Sequence, residues 1–163
     1  MTTTLMPELK PDFDLVLNRT THVSTDRVWK AWTTPELLKQ WFTPKPWRTA
    51  DCAMDLRPGG RFWTLMESPE GDQFSGEGCI LEVVPERRLV WTSALGADFR
   101  PNPSGTDSML FTAFIEMEPE GTGTRYKVTL LHAEADGKTK HEAMGFESGW
   151  GAAFEQLVEL MSR

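Results

Sequence analysis

Apolar residues recur at every second position along much of this chain, which predicts a structure rich in strands. Phe13, Leu15 and Leu17 form the first such pattern, typical of a strand with one buried face. Six further strands are predicted, and short turns containing Gly or Pro separate most of them. They cover residues 49–55, 61–67, 73–84, 88–95, 109–118 and 124–133. Because short turns join antiparallel neighbours, the pattern predicts an antiparallel meander.

Helical spacing replaces alternation in two parts of the chain. Ser24 is placed to cap a short helix, and the Thr-Pro pair at 34–35 begins a second one. Near the end of the chain, Thr139 and Glu142 have the spacing of a capping box. The apolar residues within 143–161 then recur at helical spacing, which predicts one amphipathic helix of about six turns.

The predicted elements define a fold class. The C-terminal helix has an apolar stripe that only the sheet is large enough to cover. The fold class is therefore α+β: a sheet of about seven strands, two short helices after the first strand, and a long C-terminal helix on the sheet. We expect a flexible leader at residues 1–11 and one domain over residues 12–163.

Composition and charge exclude several classes of function. The 163 residues are 39% hydrophobic, which suits a single domain with its own core. The net charge of −7 leaves no basic face on average for nucleic acid. No stretch approaches the ~20 apolar residues of a membrane span, and no signal peptide is visible, so we expect a cytoplasmic protein. No phosphate-binding or metal-binding pattern occurs, so neither a cofactor nor a metal site is expected.

Several short motifs have a shared order and spacing along the chain. They are VWKAWTTPE at 28–36, DLRPGGRF at 55–62, GEG at 76–78, PERRLVW at 85–91 and the Gly-Trp pair at 149–150. Together they resemble the START-like (SRPBCC) superfamily, and in particular its bacterial branch named after Aha-type activators of the heat-shock chaperone (Hsp90) ATPase. The resemblance covers nearly the whole chain. It implies a helix-grip fold, in which a curved antiparallel sheet surrounds a helix and leaves an internal cavity between them.

The resemblance also implies that the cavity holds a small hydrophobic or amphipathic molecule, and aromatic molecules belong to this class. Strand parity decides which side chains of the sixth and seventh strands face the helix. Residues near the Pro-rich turn, the first half of the helix and Phe99 in the long loop at 96–108 complete the expected lining, with Phe99 as a lid. The candidate ligand-binding residues are Trp41, Phe42, Trp63, Trp91, Phe99, Phe111, Ala113, Tyr126, Val128, Leu130, His132, Met144 and Trp150.

His132 has two interpretations. Parity places it inward beyond Leu130, where it would be a polar contact for a ligand or a general acid/base. Alternatively, it is a core histidine bonded to a neighbouring carbonyl. Arg19 has the inward parity of the first strand, and it would form an ion pair with Glu77 or Glu82 or else bind a ligand carboxylate.

Three functions remain open at the level of sequence. The preferred one is a carrier, sensor or scavenger of a small apolar or amphipathic ligand. The second is a cyclase, isomerase or hydrolase that uses His132 as acid/base, which requires two titratable groups in one pocket. The third is an interaction module for a chaperone partner, which would expose an apolar patch on its outer surface. A homodimer is compatible with each of them.

Overall fold

The chain forms one antiparallel sheet with helices packed against one of its faces. The computed structural model describes residues 6–103 and 109–163. The strands are β1 Asp14–Thr21, β2 Arg48–Met54, β3 Arg61–Glu67, β4 Gln73–Val84, β5 Arg88–Thr92, β6 Phe111–Glu120 and β7 Gly123–His132. The helices are α1 Thr25–Thr33, α2 Pro35–Leu38, α3 Ala135–Ala143 and α4 Phe146–Met161, and a short 3-10 turn spans Ala97–Phe99.

The sheet is a meander, and two irregularities in its register allow it to curve around a helix. The strand order is β1-β7-β6-β5-β4-β3-β2, and every neighbouring pair is antiparallel. The predicted meander is therefore confirmed for β2 to β7, and β1 joins it beside β7. Register shifts interrupt the β2–β3 pairing near Thr49 and the β4–β5 pairing near Ile80. Such bulges bend a strand and increase its twist, as a curved sheet requires.

The core lies between the sheet and α4. Alternate residues of β1, β6 and β7 face the helices, so that Leu17, Ile115 and Val128 are fully or almost fully buried. From α4, Leu157 and Phe154 pack against this face and are equally inaccessible to solvent. The two layers give the α+β helix-grip arrangement that the sequence predicts.

The C-terminal helix differs from the prediction. Instead of one helix through residues 143–161, two helices, α3 and α4, are separated by Met144 and Gly145. Gly145 has a φ of 89°, a left-handed conformation that glycine adopts without steric cost and that ends α3. Thr139 consequently lies inside α3 and caps no helix. None of the helices in the described residues is both long and apolar enough to cross a membrane.

Candidate functional site

A continuous series of aromatic rings lies on the helix-facing side of the sheet. Neighbouring rings have centroids between 4.9 and 6.2 Å apart, within the usual range for aromatic contacts. In order of contact the series consists of Trp41, Phe42, Phe62, Trp91, Phe111, His141, Phe146 and Trp150. We call it the aromatic row. It connects the end of α2 with β3, β5, β6, α3 and α4, so a molecule bound along it would touch most of the fold.

Small residues on neighbouring strands leave room for the large rings. Phe62 on β3 is paired with Gly78 on β4, and a Cβ at that glycine would lie 3.1 Å from the Phe62 carbonyl oxygen. Trp91 on β5 is paired with Ala113 on β6. With little side-chain volume beside them, the rings of Phe62 and Trp91 approach to 4.9 Å between centroids. The row is thus a consequence of register as well as of composition.

Trp91 carries a buried polar group that no described residue satisfies. Its side chain is 6% exposed, yet its indole N–H has no hydrogen-bond partner among the described residues. By contrast, Trp41 donates to the Ala31 carbonyl at 3.0 Å, and Trp32 donates to the Tyr126 hydroxyl at 3.1 Å. Leaving a buried donor unpaired costs about 1–3 kcal/mol. An acceptor on a bound molecule would remove that cost.

Two histidines meet beside the aromatic row. His132, on β7, approaches the Phe13 carbonyl with Nδ1 at 2.7 Å. Since a carbonyl only accepts, Nδ1 carries the proton, and in the neutral ring Nε2 of His132 is then an acceptor. His141, on α3, then donates from its own Nδ1 to that Nε2 at 3.1 Å. Burial, together with the neighbouring His132, lowers the pKa of His141 to about 4, which keeps this ring neutral at pH 7.

The strand parity expected for β6 and β7 agrees with the structure. Ala113, Val128 and Leu130 are fully buried on the helix-facing side, and Phe111 on the same side is half-buried. Tyr126 stacks on Phe154 with centroids 4.2 Å apart, and burial raises the pKa of its hydroxyl. These residues lie beneath or beside the aromatic row.

Three candidates lie elsewhere, which corrects their expected place in the lining. Trp63 alternates with Phe62 and therefore points away from the helices, where it donates to Ser75 Oγ at 2.8 Å. Met144 is 77% exposed in the connection between α3 and α4. Phe99 is 51% exposed and its ring covers Gly59, outside the row. The predicted lid role of the loop at 96–108 falls partly on residues 104–108, outside the described residues.

Arg19 does not form either expected ion pair. Glu77 binds Arg61 at 2.5 Å, and Glu82 binds Arg88 at 2.9 Å, so both predicted partners are occupied. The Arg19 guanidinium lies 3.9 Å from Glu147 instead. It also borders two open surface depressions of about 470 and 530 Å³ beside β1. Neither depression is lined by the rings of the aromatic row.

Three members of the aromatic row are not among the candidate residues predicted from the sequence: Phe62, His141 and Phe146. In β3 apolar residues occupy both faces, so alternation alone does not distinguish Phe62 from Trp63. His141 lies on α3, a separate helix that the continuous apolar stripe did not predict. Within residues 6–103 and 109–163, no group of three or more His, Cys, Asp or Glu side chains could hold a metal ion.

Comparisons with known proteins identify the family. The family model "Activator of Hsp90 ATPase homolog 1-like protein" matches residues 22–162. A crystal structure of a Nitrosomonas europaea protein is 46% identical, with a TM-score of 0.90 over 94% of this chain and 97% of that one. A Mycobacterium smegmatis protein is 25% identical, with a TM-score of 0.74 over 92% of this chain and 91% of that one. No curated protein matches. The chain therefore belongs to the Activator of Hsp90 ATPase homolog 1-like family, within the START-like (SRPBCC) superfamily.

Proposed function

We propose that the chain binds a small hydrophobic or amphipathic molecule between the sheet and α4, as a carrier, sensor or scavenger. The supporting observation is the aromatic row with the unpaired, buried N–H of Trp91 at its centre. Flat rings offer a large apolar surface, and a single unpaired donor adds a polar contact at a defined position. A planar ligand that carries an oxygen atom suits both features.

The side chains that a ligand would displace lie at the end of the row. Trp91 and Phe62 are buried, whereas Phe111, His141 and Trp150 are only half-buried. Moving half-buried side chains uncovers less apolar surface than opening the centre of the core, and so costs less free energy. We therefore place the entry of the ligand at the end formed by β6, α3 and α4.

Native mass spectrometry of the purified protein tests the proposal. We expect a non-covalent adduct of a small molecule that disappears when the protein is denatured. After removal of that molecule, naphthalene serves as a defined apolar probe, and its binding is followed by tryptophan emission. A protein without an adduct whose emission also stays unchanged up to the solubility limit of naphthalene would contradict the proposal.

Two tryptophan variants make a matched pair for this titration. Trp91→Phe removes an indole from the row, and Trp63→Phe removes one from the opposite face of the sheet. Because Trp91 touches Phe62 and Phe111, we expect the probe-induced change in emission to shrink in Trp91→Phe. In Trp63→Phe the change should equal that of the unmodified protein. Equal changes in both variants would move the site away from the row.

Acid–base catalysis is the second candidate function, favoured by the contact between His132 and His141. Both ring nitrogens of His132 are hydrogen-bonded within the chain. His141 has a pKa lowered to about 4, whereas a general base works best with a pKa near the operating pH. The pair is therefore better suited to holding a ligand than to moving its protons. Recovery of a chemically changed molecule after incubation would favour the enzyme instead.

A further inference from the structure

The side chain of His141 makes the contacts that a bound aromatic molecule would make beside the aromatic row. It is a planar ring, 5.2 Å from Phe111 and 5.7 Å from Phe146 between centroids. Its N–H donates to Nε2 of His132, whose own proton is committed to the Phe13 carbonyl. A flat ring thus lies between two aromatic side chains while its one donor meets a fixed acceptor.

The helix that carries His141 is weakly attached to the rest of the fold. None of the residues of α3 is buried, in contrast to α4, where six are buried. Besides His141, the attachment includes Lys138, whose ammonium group donates to the Pro11 carbonyl at 2.5 Å. Gly145, with its left-handed φ, connects α3 to α4. Segments with few buried contacts open at low free-energy cost, so α3 can leave while the sheet and α4 stay folded.

We propose that His141 is an internal substitute for the ligand and occupies the polar end of its site. The ligand is then a planar aromatic molecule with an O–H or N–H donor, such as a phenol or an indole. It replaces the His141 ring between Phe111 and Phe146 and donates to Nε2 of His132, while α3 moves away. This inference rests on the proposed function and adds the chemical class of the ligand to it.

The hydrogen-bonding direction also sets what the site rejects. Because the Phe13 carbonyl holds the proton of His132 on Nδ1, Nε2 presents a lone pair toward the ligand. A carboxylate offers only lone pairs in return, so an aromatic acid is disfavoured. A phenol, in contrast, can donate its hydroxyl proton to Nε2 of His132.

Three probes with the same two-ring skeleton test this chemistry: naphthalene, 2-naphthol and 2-naphthoate. At pH 7 we expect 2-naphthol to bind about three- to tenfold more tightly than naphthalene, the factor of one net hydrogen bond, and 2-naphthoate to bind most weakly. Amide hydrogens of residues 135–143 should exchange faster when 2-naphthol is bound. If 2-naphthoate binds most tightly, or if exchange in α3 slows, the proposal is wrong.

Variants of the histidines separate the proposal from a general apolar site. His141→Ala removes the ring that competes with the ligand. 2-Naphthol should then bind at least about tenfold more tightly, because the site no longer has to be vacated before binding. His132→Phe keeps a ring but removes the acceptor, and 2-naphthol should lose its advantage over naphthalene. His22→Ala changes an exposed histidine distant in sequence and serves as the control with unchanged affinities.

The outcomes distinguish the two levels of the argument. If none of the three probes binds the unmodified protein or His141→Ala, the proposed function itself is overturned. If naphthalene and 2-naphthol bind equally well, and His141→Ala leaves both affinities unchanged, the binding function stands and the role of His141 is refuted. Should His132→Phe fail to fold, His141→Ala still decides the question, because α3 has no buried residues.

Discussion

Replacing His141 should change how the stability of the fold depends on pH. Burial and the neighbouring His132 lower the pKa of His141 to about 4 in the folded chain, against the ordinary histidine value of 6.5. Between these two pH values the unfolded chain binds a proton that the folded chain does not. The free energy of unfolding therefore falls as the pH decreases from about 6.5 to about 4, and above 6.5 this residue contributes no pH dependence.

The size of the effect follows from the shift. One proton bound only by the unfolded state changes the free energy of unfolding by about 1.4 kcal/mol per pH unit. Between pH 7 and pH 5 the loss is at most about 2 kcal/mol, and by pH 4 it is at most about 3 kcal/mol. These are upper values because His141 is half-buried and solvent screens its charge.

Urea unfolding at pH 7, 6 and 5 measures the effect in three proteins: unmodified, His141→Phe and His22→Phe. His141→Phe keeps a ring between Phe111 and Phe146 but cannot titrate. It leaves Nε2 of His132 without its donor and so lowers the free energy of unfolding by about 1 kcal/mol at every pH. The informative quantity is therefore the slope of the free energy of unfolding against pH. We expect a flatter slope in His141→Phe than in the other two proteins. Equal slopes in all three proteins would refute the assigned burial of His141.

Four further substitutions test the packing. Leu157→Asp places an unpaired charge in the fully buried centre of α4 and should cost about 3 kcal/mol or more; an unchanged melting temperature would contradict the packing of α4 on the sheet. Tyr126→Phe leaves the Trp32 N–H without its acceptor and should lower the free energy of unfolding in urea by about 1–3 kcal/mol, whereas a neutral effect would argue against that bond. Gly59→Ala places a side chain at a φ of 83° against the Phe99 ring, so it should lower the melting temperature. Phe99→Ala in the same protein should restore part of that loss. If the effects of the two substitutions on the melting temperature are additive, residues 59 and 99 are not in contact.

Strand parity made much of the site predictable from the sequence. In β6 and β7 only one face is strongly apolar, so alternation identified Phe111, Leu130 and His132 as helix-facing. In β3 both faces carry large apolar side chains, and a shift of one residue exchanges Phe62 for Trp63. An alternating hydrophobic pattern therefore identifies the buried face of a strand only where its other face is polar.

The histidine pair could not be predicted because it depends on a backbone conformation rather than on periodicity. The apolar spacing continues across Gly145, although the helix does not. The left-handed turn at Gly145 ends α3 as a separate helix, and α3 carries His141 against His132. For His132 itself, the sequence indicated a carbonyl-bonded core histidine as one alternative, and its Nδ1 makes that bond to Phe13.

The strand order has a consequence for how the protein is made. Among the described strands β1 pairs only with β7, so β1 leaves the ribosome well before its partner strand. Roughly a hundred residues separate the two, which takes about 5–20 seconds to translate at ordinary rates. Over that time β2 to β6 can pair in succession as they emerge. Both edges of β1 stay unpaired until β7 has been synthesised. Strand closure should therefore be a late event in folding, and truncation before Gly123 should leave β1 available to cellular chaperones or to other chains.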